Sequence, residues 1–257
     1  MAIVQVSSLS ASYEVTGNGP TLFLLHGWAN TWEAWLPVIP YLSDSFTVVA
    51  VDLPGFGNSQ SPVAGWSTED YAQWFEQFLS AYGMTATSDP FYCAGHSFGG
   101  KILAYFTASD LSPQPRKQVL IDASGIRYSL SFKQQLLRML SGAVPIRLKQ
   151  SASKQFKERM YQSFGAETDY LAANPFQKET LRKILTEDVR ELLPTISVPT
   201  LLIWGRLPKF PPLWHGEEFH RLIPGSQLKV VESGHFPHHD HPESVAETIS
   251  TFLKDRP

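Results

Sequence analysis

Along the chain, short and almost continuously apolar runs alternate with stretches of helical periodicity. The runs are TLFLLH (21–26), TVVAVD (47–52), FYCA (91–94), QVLID (118–122), TLLIW (200–204) and QLKVV (227–231). Their β-branched and aromatic residues predict strands, and in most of them the lack of polar alternation predicts strands covered on both faces, as in a parallel sheet. The clearest helix signal is WSTEDYAQWFEQFLSAYG, 66–83. There Ser67 and Asp70 form a capping box, Trp66 and Tyr71 a hydrophobic staple, and Tyr71, Trp74, Phe75, Phe78, Leu79 and Tyr82 an apolar stripe ended by Gly83. Strands alternating with helices imply right-handed crossovers and a doubly wound, mostly parallel α/β sheet. Sites in such sheets form at the carboxyl ends of the strands.

The candidate chemistry falls at those ends. His26-Gly27-Trp28 follows the first of these runs, DLPGFG (52–57) closes the next, Ser97 follows the third, and His235 follows QLKVV within ESGHF. Ser97 stands in AGHSFGG, a G-x-S-x-G pattern between a strand and a helix. Mechanically this is a sharp turn with a strained serine at its tip and glycines where a Cβ would collide with neighbouring chain. Serine is a weak nucleophile by itself and requires a base.

Taken in order, HGW (26–28), DLPGFGNS (52–59), GHSFGG (95–100), LLIWG (201–205) and SGHF (233–236) resemble the α/β-hydrolase fold superfamily over nearly the whole chain. The resemblance implies that Ser97 attacks a carbonyl carbon while His235 takes its proton and later protonates the leaving group. It also implies an oxyanion hole made by the backbone N–H of Phe98 and that of Trp28, beside Gly27. His26 and His96 are expected to shape the oxyanion loop and the elbow. The third triad member departs from the pattern: relatives carry an aspartate in a run such as G-x-x-D after the LLIWG strand, and this chain reads Gly205-Arg206-Leu207-Pro208. Asp122, at the end of QVLID, stands where some members place the acid instead. Its plainer reading is a cap on a Ser124-Gly125 turn. Glu232 and Asp240 are nearer to His235 in sequence but less well placed. With no acid at all, a serine–histidine dyad would work about 10⁴ more slowly.

The middle of the chain differs from its flanks. From Ile126 to Leu193, 12 Lys and Arg stand against 7 Asp and Glu, while the rest carries 9 against 17. The segment lacks strand signals and reads as helical, in SFKQQLLRML, SASKQFKERMYQSF and PFQKETLRKIL. The expected organisation is therefore a core of 1–125 and 194–257 with a helical insertion at 126–193, which in relatives caps the cleft and sets specificity. Between Lys133 and Arg159 seven basic residues face one acid, Glu158, interleaved with apolar positions. Its plain reading is a cap whose charges face water; the sharper one is a basic amphipathic surface for anionic lipid or an acidic substrate.

The remaining composition narrows the partners. A net charge of −3 and 43% hydrophobic residues are ordinary for a globular protein. No signal segment and no membrane-spanning run is read, and the single cysteine, Cys93, allows no internal disulfide, so a cytoplasmic protein is expected. The cluster His235, His238, His239 and His241 is interrupted by Pro237 and Pro242 and fits no helical i, i+4 pair cleanly, so no metal is expected. No organic cofactor and no nucleic-acid partner are expected either, and the sequence is silent on oligomeric state. The expected function is hydrolysis of a small-molecule carboxylic ester or related carbonyl substrate. The alternatives are carbon–carbon bond hydrolysis or a lyase reaction on the same serine and histidine, or a binding protein that kept the cleft after losing the acid.

Overall fold

A computed structural model of the chain describes residues 1–85, 87, 89–127, 174–207 and 211–255. The described residues form one eight-stranded sheet. Its strands are β1 (Ala2–Val6), β2 (Leu9–Thr16), β3 (Thr21–Leu25), β4 (Thr47–Val51), β5 (Tyr92–His96), β6 (Lys117–Ile121), β7 (Thr200–Gly205) and β8 (Gln227–Val231). They lie in the order β1-β2-β4-β3-β5-β6-β7-β8. β2 pairs antiparallel with β1 and β4, and every other neighbouring pair is parallel. Six of these strands are the apolar runs of the sequence. β1 and β2 were not expected, because at the sheet edge burial alternates along β1, which carries Gln5, and β2 mixes Ser, Glu and Thr with apolar residues.

Covered strands bury both faces. In β3, Leu22, Phe23, Leu24 and Leu25 are all fully buried. Leu22 and Leu24 join a core closed by α1 (Ile39–Ser43) and a C-terminal helix (Pro242–Lys254) through Ile39, Leu42, Val245, Ile249 and Leu253. Phe23 faces the other layer, where its ring meets Phe75, Phe78, Tyr82 and Phe91 edge-on at 5.2–6.1 Å. That layer is built by α2 (Thr68–Tyr82) and α3 (Phe98–Ala108). α2 starts and stops as its sequence requires. Ser67 and Asp70 cap each other reciprocally, the Trp66 and Tyr71 rings meet at 5.2 Å, and Gly83 ends the helix at φ 102°.

The chain divides into two compact units, Met1–Ile126 with Pro175–Pro257, and Arg127–Asn174. Residues 175–193, assigned to the insertion from sequence, thus group with the core. The physical reason is α4 (Pro175–Ile184), which buries Phe176, Thr180, Leu181 and Ile184 and accepts the N–H groups of Gly65 and Trp66 on Glu179 and Thr180. The basic segment from Lys133 to Arg159, and the helical runs expected there, lie outside the described residues. Two further helices, α5 (Leu213–Leu222) and α6 (Pro237–Asp240), precede the C-terminal helix, α7. Among the described residues no helix is long and apolar enough to cross a membrane.

Candidate active site

β5 ends at His96 and α3 begins at Phe98, so Ser97 alone makes the turn, at φ 51° and ψ −109°. A side chain at positive φ in this region costs about 1–3 kcal/mol and persists only where the surroundings enforce it. Here they do: the Ser97 N–H donates to the Ile121 carbonyl at 2.9 Å, and the Ser97 carbonyl accepts from Ser124 at 3.0 Å. The flanking glycines answer to close approach. A Cβ on Gly99 would stand 2.2 Å from the Leu25 oxygen, and one on Gly95 would stand 2.5 Å from the Gly99 oxygen.

His235 enters from the loop after β8, and its Nε2 lies 3.1 Å from Ser97 Oγ. For Nε2 to accept the serine proton, the ring must carry its own proton on Nδ1. Nδ1 faces Asp122 Oδ2 at 3.8 Å, an ion-pair separation longer than a hydrogen bond. Among the described residues neither of these two buried atoms has a hydrogen-bond partner. Asp122 is wholly buried just past β6, at φ 41°, and its other oxygen accepts the Gly205 N–H at 3.0 Å. Burial pushes the Asp122 carboxyl above its ordinary pKa, against the opposing pull of His235 and the Gly205 N–H.

The other carboxylates are occupied elsewhere. Ser124 donates to Ser97 rather than to Asp122, so the turn-cap reading of Asp122 does not describe its contacts. Glu232 pairs with Arg206 on the surface, and Asp240 accepts the Gly234 N–H at 3.0 Å. Pro208 lies outside the described residues.

The His26-Gly27-Trp28 turn lies directly against the elbow. A Cβ on Gly27 would stand 3.2 Å from Ser97 Cβ and 2.9 Å from His96 Nδ1. His26 locks this turn to the next one: Nε2 accepts the Leu53 N–H at 3.0 Å, leaving Nδ1–H to donate to the Gly27 carbonyl at 2.7 Å. Burial lowers its pKa to about 4, so it stays neutral. Phe98 opens α3, so its N–H has no acceptor inside the helix and is suited to a developing anion. The Trp28 ring meets Phe56 and Phe98 at 5.0 and 5.7 Å, fixing the turn beside that helix end.

The histidine cluster disperses into separate roles. His239 Nε2–H donates to the Ala34 carbonyl at 2.6 Å and His241 Nε2–H to the Glu232 carbonyl at 3.0 Å, while His238 is buried beside Trp35. No group of three or more His, Cys, Asp or Glu able to hold a metal occurs among the described residues.

Residues 22–248, which include every part of this arrangement, match the model of the Alpha/beta hydrolase family. The chain belongs to that family. Its relatives include the pimeloyl-[acyl-carrier protein] methyl ester esterase of Aeromonas hydrophila, 28% identical over 95% of this chain and 100% of that protein. Among solved structures, an esterase from Exiguobacterium antarcticum superposes with a TM-score of 0.77 at 22% identity, covering 98% of this chain and 99% of the other. A membrane phospholipase A described as a bacterial virulence factor superposes with a TM-score of 0.75 at 26% identity, covering 98% and 84%.

One support of this α/β hydrolase's elbow was not singled out by its sequence. It is Lys101, buried one turn along α3, whose Nζ donates to the Ile184 carbonyl at 2.6 Å and to Glu187 at 2.9 Å. Glu187 also accepts from the backbone and hydroxyl of Thr68, which opens α2. No local pattern signals such a contact; an apolar helix face interrupted by one lysine was the only trace.

Proposed function

We propose that this α/β hydrolase cleaves a carboxylic ester or related carbonyl substrate through an acyl-enzyme on Ser97. The observation that carries the reading is the 3.1 Å approach of His235 Nε2 to the hydroxyl of a serine held at positive φ. In the forward step Ser97 Oγ attacks the carbonyl carbon as its proton passes to His235 Nε2. The oxyanion is held by the N–H groups of Phe98 and Trp28, and the proton then goes to the departing alcohol. Water repeats the sequence to release the acid. Asp122 is the orienter: as the imidazolium forms, attraction to the carboxylate draws Nδ1–H across the 3.8 Å gap, in keeping with catalytic contacts that tighten only during reaction. The ester class is carried over from the relatives that are named esterases, and the half-buried rings of Trp28 and Phe236 support an apolar acyl group. The step needs neither metal nor organic cofactor. We place it in the cytoplasm, since the lone cysteine, Cys93, is buried and the fold uses no disulfide.

Labelling with a fluorophosphonate, together with a panel of p-nitrophenyl esters of increasing chain length, tests this reading. The wild type should label and hydrolyse. Ser97→Ala should do neither while keeping its melting temperature, because it removes only one buried oxygen. A Ser97→Ala protein retaining more than about one hundredth of wild-type activity would show that another group attacks.

A further inference from the structure

We propose that His96 is a positioning residue for the base: its Nε2–H grips the backbone carbonyl of His235 and so fixes where the His235 ring meets Ser97. The inference rests on the reading of Ser97 and His235 as nucleophile and base. His96 Nε2 lies 2.8 Å from the His235 oxygen. A carbonyl oxygen has no proton to give, so the proton must sit on Nε2 of His96. Nδ1 is then bare, and no hydrogen bond reaches it among the described residues.

The surroundings hold this ring in place. His96 is 1% exposed, and its ring lies 4.7 Å from that of His235, 4.9 Å from Phe236 and 4.6 Å from His238. On its other side Gly27 comes so close that a Cβ there would stand 2.9 Å from Nδ1. One side chain, adjacent in sequence to Ser97, therefore touches both the base loop and the turn that carries Trp28. Burial, reinforced by the neighbouring imidazoles, pushes its pKa well below the usual histidine range. The tautomer that grips the carbonyl is thus the only proton state it offers near neutral pH.

The grip matters because the far side of the His235 ring is loosely held. Asp122 stands at 3.8 Å from Nδ1 and makes no hydrogen bond to it. The loop's other tethers, Gly234 to Asp240 and His239 to Ala34, act on neighbouring residues. Among the described residues, the tether at the base's own backbone is His96. A displacement of about 1 Å at a reacting group lowers rate by up to about a hundredfold.

Two substitutions separate this from simple packing. His96→Phe keeps a flat ring but loses the donor. His96→Gln loses the ring but carries an amide nitrogen at about the reach of Nε2. We expect His96→Phe to lower kcat on a p-nitrophenyl ester, and the rate of fluorophosphonate labelling, by at least about tenfold with KM unchanged, and His96→Gln to recover to within about threefold of wild type. Wild-type rates in His96→Phe, or a loss in His96→Gln as large as in His96→Phe, would overturn the proposal. If either variant fails to melt cooperatively, the wild type decides: ¹⁵N-histidine NMR should show His96 as an Nε2–H tautomer whose shifts do not move between about pH 6 and about pH 8. An Nδ1–H tautomer, or a titrating ring, overturns it. A wild type that neither labels nor hydrolyses sinks the hydrolase reading and the positioning role together, and shows itself before any variant is made.

Discussion

Asp122 sets function against stability at a single residue. Its carboxylate is fully buried, with one oxygen accepting the Gly205 N–H and the other facing an imidazole across 3.8 Å. Burial raises its pKa above the ordinary 3.8. Between the unfolded and the folded pKa the folded chain therefore binds the extra proton. The stability this confers is complete below about pH 4 and is lost as pH rises through the folded value. Asp122→Asn removes the charge and keeps an acceptor for Gly205, so its melting temperature at pH 7 should equal or exceed that of the wild type, with the difference shrinking toward pH 4. If Asp122 orients His235, the same variant should lower kcat by about 10⁴, because the amide no longer favours the Nδ1–H tautomer. Melting curves at the two pH values and one progress curve check both halves, and an unchanged kcat would remove Asp122 from the mechanism. Ser97, His235 and Asp122 could each be singled out in the sequence because each closes a strand or follows one within a few residues. His96 could be seen only as part of the elbow, since its partner is a backbone carbonyl 139 positions away. No residue pattern marks a carbonyl as a partner.

At the scale of elements, what the sequence revealed follows what local energetics decide. α2 was readable to its caps because capping box, staple and terminal glycine all act within one or two turns. β3 to β7 were readable because strands covered on both faces are almost continuously apolar, and β8, exposed or half-buried at one edge of the sheet, because Leu228, Val230 and Val231 leave an apolar trace; β1 and β2, covered unevenly toward the other edge, mix polar and apolar residues. The join of α3 to α2 and to the end of α4 through Lys101, Glu187 and Thr68 was not readable, being a contact over 86 positions. Although burial works the other way, the Lys101 charge and the Thr68 donors hold Glu187 below the usual carboxylate range. Removing one partner strands the other in a largely buried site, so Lys101→Met should destabilise by about 3–5 kcal/mol. The double variant Lys101→Met/Glu187→Gln should recover part of that loss, since no unpaired charge remains. A urea-unfolding double-mutant cycle measures the coupling. Single and double variants that lose stability additively would show that the pair contributes only through packing.

For the molecule as a whole, the near-neutral net charge of −3 conceals a specific sensitivity to acid. His26, His96, His215 and His238 all have lowered pKa values with burial as the first cause, His26 and His215 to about 4. A histidine depressed in the fold is neutral there while its unfolded counterpart, near 6.5, already takes a proton. Between about pH 4 and 6.5 the unfolded chain thus binds more protons, and stability must fall as pH falls. Each fully excluded proton contributes a slope of about 1.4 kcal/mol per pH unit, and total stability is only about 5–15 kcal/mol, so several such groups decide the acid limit of the fold. Asp122 opposes the trend, but its effect is confined to the range above pH 4 and amounts to one group. Urea-unfolding free energies should therefore be level from about pH 8 to 7 and drop steeply from about 6.5 to 5. His238 isolates the cause: both of its ring nitrogens lack hydrogen-bond partners among the described residues, and its ring lies 4.7 Å from Trp35 and 4.6 Å from His96. His238→Phe should reduce the slope by about one proton while preserving the ring contacts. A stability profile that stays flat down to pH 5, or a His238→Phe profile parallel to the wild type, would mean that these buried imidazoles take up protons without opening the fold.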